Sequence, residues 1–501
     1  MNISEYRAQF ASFHSKLELV RFQKHIGIRP DLNIRDVYDR YSDLFSAAAL
    51  AELEQQLKDT PAYRETEKKA IARLLTSARI CACKHRTREI GEELEHCIAA
   101  STVTWRGASL SLDAVPHYLS KEKEKSVRRD LTLRWIDKTR ECRDLFIQRK
   151  EFLDECARSW DLNSYRELIP QVSSSPLNRT EVLRSFLSQT ESAYKAALVA
   201  LLRREVDDLA ENELHIADLP LFQRMSWLDQ SFASTDLKRT LEDTFRGLGL
   251  RPDSRRAPLV DAEPHFERIS RAEVFPVAPP EDVRVALLLE TGAGPFLSNL
   301  KYQAIGKVHS WCSRDLATRY PEFVYSADSA TPQAHGYLFR YLALDPRWIM
   351  EFVPGVNPAK AEQICQDITF QLSLKARSLC AIRLSREEEE KSNNQDEVDS
   401  NCEQMFEHAT SFRGRRFSFA LEDENSAMSI LRALAFSFVL REYLRVRFGH
   451  RWWAASKAGD ELVDLWNTSS TYSVEELSSS LGSGELNFDL LGNALNAMVG
   501  A

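Results

Sequence analysis

Cysteines and histidines between residues 81 and 97 form the first group whose side-chain types suggest chemistry. Cys81 and His85 lie one helical turn apart, and both thiolate sulfur and imidazole nitrogen bind zinc. Cys83 would point to a different side of the same helix, and the spacing of the group, which includes His96 and Cys97, matches no usual zinc pattern. We therefore expect these side chains to pack in the core or on a half-buried helix.

Motifs of the common hydrolases are absent from the sequence, which has no G-x-S-x-G, no H-E-x-x-H and no papain-type cysteine motif. The glycines at 292 and 294 lack the rest of a phosphate-binding pattern and predict a turn. Trp452 and Trp453, near the end of a predicted helix, indicate core packing rather than ligand stacking. Spacing alone predicts no catalytic centre.

Helices must position whatever site the chain has. Tyr6, Phe10, Phe13, Leu17 and Val20 recur at steps of three and four, which places them on one helix face. With only 17 Gly and 18 Pro in 501 residues, few breaks interrupt such patterns, and the chain is predicted to be mainly α-helical. Similar periodicity predicts helices over 34–57, 63–98, 118–160 and 181–209.

Strand signals are few. Residues 102–105 and 109–112 flank Arg106-Gly107 and predict a short hairpin. Residues 283–289, VRVALLL, predict a strand that ends in the glycine turn. The acidic stretch 385–400 predicts a solvated helix end followed by a mobile loop.

Composition excludes several function classes. The 66 Lys and Arg against 74 Asp and Glu give a net charge of -8, so no basic surplus favours nucleic acid or a membrane surface. The N-terminus lacks a signal-like segment, and no apolar run is long enough to span a bilayer, so we expect a cytoplasmic protein. Nine scattered cysteines favour reduced core thiols over a disulfide framework.

Three long stretches carry a resemblance to a known family. They are GLGLRPDSRRAPLVDAEPHFERISRAEVFPVAPPEDVRVALLLETGAG, FVYSADSATPQAHGYLFRYLALDPRWI and LREYLRVRFGHRWWAASKAGDELVDLW. The chain resembles the oligoendopeptidase F and thimet oligopeptidase group of zinc peptidases. This implies a mainly α, zincin-like helical bowl with a small β-sheet at the cleft edge, with an N-terminal helical region over 1–170 and a metallopeptidase-like region over 171–501.

The metal-binding residues of that family are missing here. Matching Gly306 to the small residue before the second histidine of H-E-x-x-H places the motif on residues 303–307, where the chain reads QAIGK. Gln303 and Lys307 replace the two histidines, Ala304 replaces the glutamate that polarises water, and Gln333 stands at the third-ligand position. Neutral amides bind transition metals weakly, and the ammonium of Lys307 repels Zn²⁺, so we expect no metal and no cofactor.

The first functional hypothesis is therefore a pseudo-peptidase that binds a peptide or small molecule in the central cleft. An extended peptide can pair with a strand without any metal, which makes Val283, Val285, Leu287 and Leu289 candidate binding residues.

The alternative is a metal-independent enzyme that reuses the former zinc pocket. Lys307 is its candidate base or nucleophile, with His335 or Gln333 as partner and His309 nearby in the chain. A third reading keeps a metal on His309, His335 and an unidentified carboxylate, which would require a rebuilt ligand geometry.

Overall fold

The computed structural model describes most of the chain. The described residues are 2–29, 33–112, 114–168, 174–206, 209–250, 259–261, 272–287, 303–304, 306–308, 320–325, 328–391, 395–414, 424–468 and 471–497.

Helices build the N-terminal part, as the periodicity predicts. Tyr6, Phe10, Phe13 and Leu17 are buried on one face of α1, which confirms that pattern. The predicted helical stretches are each divided into shorter helices. Their bounds are α1 Ile3–His25, α2 Ile34–Arg40, α3 Ala47–Asp59, α4 Glu65–Arg86, α5 Arg88–Ala100, α6 Val115–Leu119, α7 Lys125–Arg140, α8 Arg143–Arg158, α9 Thr180–Gln189 and α10 Glu191–Glu205.

Helices also dominate the rest of the chain. Two long ones, α17 and α19, run through the largest apolar core, where most of their side chains are buried. The bounds are α11 Leu219–Arg224, α12 Asp229–Phe232, α13 Leu237–Gly247, α14 Glu322–Tyr325, α15 Ala330–Arg340, α16 Pro346–Phe352, α17 Pro358–Lys391, α18 Gln395–Thr410, α19 Glu424–Phe448, α20 Ser456–Asn467, α21 Val474–Ser480 and α22 Asp489–Ala497.

A two-stranded hairpin forms where the sequence predicts one. Strands β1 (Thr102–Trp105) and β2 (Ala108–Ser111) pair antiparallel. Arg106 and Gly107 make the turn with φ of 49° and 82°, the left-handed conformation that a two-residue hairpin turn needs.

A three-stranded sheet contains the other predicted strand. It comprises β3 (Leu259–Asp261), β4 (Glu273–Ala278) and β5 (Asp282–Ala286), in the order β3-β5-β4. The central strand β5 pairs parallel with β3 and antiparallel with β4. The expected pairing of a peptide with this strand is therefore wrong over residues 284–286, because β3 and β4 take the backbone groups on both sides of β5 there.

Two apolar cores dominate the packing. The larger draws on residues 177–495, and a second one joins α1, α2, α3 and α4, with Tyr325 packed against it. The division of the chain at residue 170 stays a prediction. None of the described helices is long and apolar enough to cross a membrane.

One pair of cysteines departs from the expected reduced thiols. Cys97 at the end of α5 and Cys142 before α8 form a disulfide, so the thiol prediction is wrong for these two residues. Cys81, Cys83, Cys156, Cys365 and Cys380 are buried thiols, and Cys402 is half-buried.

The acidic stretch is helical over most of its length. α17 continues to Lys391 and α18 begins at Gln395, so the expected helix end is confirmed. The expected loop is wrong over 385–391 and 395–400, while residues 392–394 lie outside the described residues.

Candidate functional site

The segment in which the resemblance places two metal-ligand positions packs directly on α15. Residues 303–304 and 306–308 are helical, and Gly306 faces Gly336 of α15. A Cβ atom on Gly306 would lie 2.8 Å from the carbonyl oxygen of His335 and 2.6 Å from the ring of Phe339. A Cβ atom on Gly336 would lie 2.9 Å from the carbonyl oxygen of Gln303. The two glycines thus allow the two helical segments to touch. The contact brings Gln303 and Lys307 next to the helix that carries Gln333.

A cation occupies the surroundings of the first ligand position. Arg340 donates a hydrogen bond from Nη1 to Oε1 of Gln303, at 3.1 Å. Arg340 is only 6% exposed, and its Nε has no hydrogen-bond partner in the part of the chain that the structure describes. The Oη of Tyr341, next in sequence and also buried, has no partner there either.

Lys307, which the resemblance places at the second ligand position, is another cationic residue. The Cγ of Lys307 would lie 3.2 Å from a Cβ atom on Gly336, so the lysine stem lies against α15. Gln333 precedes Gly336 by three residues on the same helix face and is partly exposed. Gln303 and Lys307 thus lie against the helix that carries Gln333, while their role as former ligand positions stays a prediction.

The position of the catalytic glutamate is apolar. Ala304 is 3% exposed and packs in a cluster with Val308, Val274 and Val324. Val283, Val285 and Leu287 belong to the same cluster and are at most 2% exposed, so these predicted peptide-binding side chains are core residues. Leu289, the fourth of them, lies outside the described residues.

Only one of the two predicted histidines, His335, lies in the described part of the chain. His335 is 2% exposed, and its ring meets that of Trp466 edge-on, with centroids 5.9 Å apart. His309 lies outside the described residues.

The cysteines and histidines of α4 and α5 have surroundings that do not favour metal binding. Cys81 is buried in the second core, and burial raises the pKa of its thiol to about 11, which disfavours the metal-binding thiolate. His85 lies 3.1 Å from a carboxylate oxygen of Asp39. Among the described residues no three potential metal ligands come together.

Sequence reasoning missed a buried cluster of charges just before α15. Arg432 of α19 is 0% exposed and binds both oxygens of Asp328 at 2.9 and 2.6 Å. It also binds both oxygens of Glu475, at 2.7 and 2.6 Å. Burial raises the pKa of Glu475, but hydrogen bonds from Arg432 and Ser175 outweigh it, so the pKa is lowered. The signal was an arginine within the apolar run SILRALAFSFVL, since a buried arginine needs a partner.

A second charge cluster ties the N-terminal helices to the site region. Arg7 of α1 donates from Nε to Glu322 of α14 at 2.9 Å and from Nη2 to Glu67 of α4 at 3.0 Å. Tyr320 donates to the other oxygen of Glu67 at 3.0 Å. Burial raises the pKa of Glu322, and Arg7 offsets part of that effect.

A cavity of about 530 Å³, called here the α4–α21 cavity, lies beside these clusters. Its walls come from α4, from the chain before α9 and from α21 with its flanking turns. The lining residues are Lys69, Ala72, Arg73, Thr76, Ser174, Ser175, Pro176, Thr471, Ser473, Glu475, Glu476, Ser479, Glu485 and Leu486. Glu475 links the cavity through Arg432 to Asp328 and so to the start of α15.

Solved peptidase structures share this fold. The chain is similar to a protein described as an oligoendopeptidase F from Bacillus anthracis, with 10% identity and a TM-score of 0.64 over 98% of this chain and 88% of that one. It is similar to the M32 carboxypeptidase of Deinococcus radiodurans, with 12% identity and a TM-score of 0.61 over 100% and 99%. It is also similar to a carboxypeptidase of Pyrococcus furiosus, with 11% identity and a TM-score of 0.61 over 99% and 97%.

No family model matches the sequence, and no curated protein matches it. The structural similarity nevertheless covers almost the whole chain, and it confirms the predicted fold. The protein has the helical architecture of the oligoendopeptidase F and M32 carboxypeptidase structures, with a small sheet.

Proposed function

We propose that this protein is a pseudo-peptidase, a metallopeptidase-fold protein that binds a peptide or small molecule without zinc catalysis. The observation that carries the proposal is the hydrogen bond from Arg340 to Gln303, because it places a guanidinium group at the first position where the fold's resemblance implies a metal ligand.

The residues present do not fit zinc. Gln303 offers a neutral amide whose oxygen already accepts from Arg340, and Ala304 offers a methyl group inside an apolar cluster. Arg340 brings a positive charge next to Gln303, and Lys307 offers a cationic side chain in place of an imidazole. Repulsion between like charges and the lack of anionic or imidazole ligands at these positions both disfavour zinc.

Metal analysis and a cleavage assay test the proposal on the same preparation. Protein purified without chelator should carry substoichiometric zinc, and it should leave a library of quenched fluorogenic peptides uncut with or without added Zn²⁺. One zinc per chain, together with cleavage that a chelator abolishes, would show that the proposal is wrong.

A metal-independent enzyme remains the second candidate, because Lys307 and His335 flank the same crossing of segment 303–308 and α15. It ranks below binding because His335 is buried and its ring packs on Trp466. Loss of a metal-independent reaction in Lys307→Ala, with folding intact, would favour this candidate over binding alone.

A further inference from the structure

Arg73 gives the α4–α21 cavity an unusual chemical feature. The residue lies on α4, and its guanidinium stacks on the ring of Phe323 at 5.0 Å from the ring centre. Its Nη2 has one long hydrogen bond, 3.5 Å, to the carbonyl oxygen of Thr471. Its Nη1 is buried and has no hydrogen-bond partner among the described residues. Burial lowers the pKa of Arg73, and the charges of Asp328, Glu476 and Glu322 offset this only in part.

The charged residues next to Arg73 already have partners within the protein. Lys69 binds Glu476 at 2.7 Å, and Glu476 also closes the capping box of α21 with Ser473. Glu475 is held by Arg432 and by Ser175, at 2.7 and 2.8 Å. Arg73 forms no ion pair within the described ranges, so this cationic residue lines the cavity without a matching carboxylate.

The cavity can hold a small polar molecule. Its volume of about 530 Å³ lies within the range of ordinary ligand pockets, and hydroxyl groups of Thr76, Ser473 and Ser479 add polar surface. The three glutamates of its lining disfavour a polyanion, because each added negative charge would be repelled by them. A single oxyanion group on an otherwise neutral or cationic molecule suits this arrangement.

We propose that the α4–α21 cavity binds a small molecule through one oxyanion, a carboxylate or a phosphate, which Arg73 holds. The inference rests on the proposed function, because it assumes that this protein uses its fold for binding and not for catalysis. The oxyanion accepts from the guanidinium of Arg73 and supplies the opposite charge that the protein itself does not provide. The ligand thereby bridges α4 of the N-terminal part and the turns around α21.

Calorimetric titration of the full chain tests this site with three probes. They are inorganic phosphate, the dipeptide Ala-Ala with a free carboxylate, and the same dipeptide with an amidated end. We expect binding of phosphate or of the free dipeptide, or of both, and no binding of the amide. Phosphate binding alone identifies a phosphate ligand, and binding of the free dipeptide identifies a carboxylate ligand.

Two variants locate the binding. Arg73→Gln should weaken it by about tenfold or more, because a charge-assisted hydrogen bond is lost. Arg86→Gln, an exposed arginine on the same helix, should leave it unchanged. Equal affinity in the wild type and Arg73→Gln, or no binding of either oxyanion probe, would overturn the inference.

Thermal unfolding separates loss of the site from loss of the fold. Arg73→Gln removes a buried, unmatched charge, so its melting temperature without ligand should not fall. Arg73→Lys is the second variant if Arg73→Gln fails to fold, and it should bind more weakly than the wild type because it lacks the planar donor pair. Zinc measured in the same samples tests the proposed function separately, since zinc-free protein that ignores both oxyanions contradicts only the cavity inference.

Discussion

Arg340 donates a hydrogen bond to the side-chain oxygen of Gln303 over 3.1 Å, and this bond joins the end of α15 to segment 303–308. The resemblance to zinc peptidases implies that those enzymes hold a metal ion at the position of Gln303. Here the two segments are instead fastened by a guanidinium and an amide, and the crossing of Gly306 and Gly336 holds them in contact. Under the proposed function, this packed polar junction stands where a metal site would be.

Restoring the metal motif should require removal of this cation. The variant Gln303→His, Ala304→Glu, Lys307→His and Gln333→Glu should bind Zn²⁺ weakly, and adding Arg340→Gln should tighten binding by about tenfold or more, because a nearby positive charge is removed. Competition with a chromophoric chelator measures the affinity. The exposed Arg347→Gln is the matched control and should have no effect. Equal affinities with and without Arg340→Gln would mean that Arg340 does not border the metal position.

The contact of Gly306 with α15 should be sensitive to a single methyl group. Gly306→Ala should destabilise the fold by about 1–3 kcal/mol, because the added Cβ atom overlaps the carbonyl of His335 and the ring of Phe339. Urea unfolding measures this change. Gly91→Ala on α5 is the control, since its Cβ atom would meet only Nε of Arg149 at 3.7 Å. That variant should be neutral or more stable by about 1 kcal/mol, because alanine favours helix.

Removing the buried arginine of α19 should be costly. Arg432→Met leaves the carboxylate of Asp328 buried without its partner and should destabilise the protein by about 3–5 kcal/mol. Arg445→Met lies on the same helix and removes an exposed pair with Glu442, so it should change stability by no more than about 0.5 kcal/mol. Similar losses in the two variants would contradict the assigned burial of Arg432.

The pH dependence of stability should report on Glu475. Its folded-state pKa lies below the ordinary 4.5, so its contribution is present above pH 4.5 and is lost as the pH falls through the folded value. Glu475→Gln should therefore be less stable than the wild type at neutral pH, and the difference should shrink in acid. Unfolding midpoints measured from neutral to acidic pH check this. Glu485→Gln, an exposed carboxylate of the same cavity, should show no such pH-dependent loss.

Reduction of the disulfide should weaken the N-terminal part. Cys97 and Cys142 close a loop of 45 residues, and opening it should cost about 4 kcal/mol through the entropy of the unfolded chain. Thermal unfolding with and without reductant measures the loss. The double variant Cys97→Ser and Cys142→Ser should start at the lower stability and should not respond to reductant. If a thiol count finds both cysteines reduced in the purified protein, the disulfide is not formed and this prediction is wrong.

The mainly helical fold and the absence of an H-E-x-x-H motif can both be read from the sequence alone. Periods of three and four are local, so α1 with Tyr6, Phe10 and Phe13 needed no tertiary information. The absence of histidine at 303 and 307 is likewise a property of the sequence. The former ligand positions came only through resemblance and stay a prediction. The structure shows that Gln303, Gly306 and Lys307 lie against the helix of Gln333.

The sequence by itself did not determine which distant residues pair with each other. The tertiary structure decided those pairs. VRVALLL predicts a strand, but only hydrogen bonds to β3 and β4 make it central and bury Val283 and Val285. Arg432 meets carboxylates 43 and 104 residues away, and Arg340 meets Gln303 across 37. The physical reason is that local periodicity fixes which face of a helix is apolar, while the partner of a buried charge depends on which elements the whole core brings together.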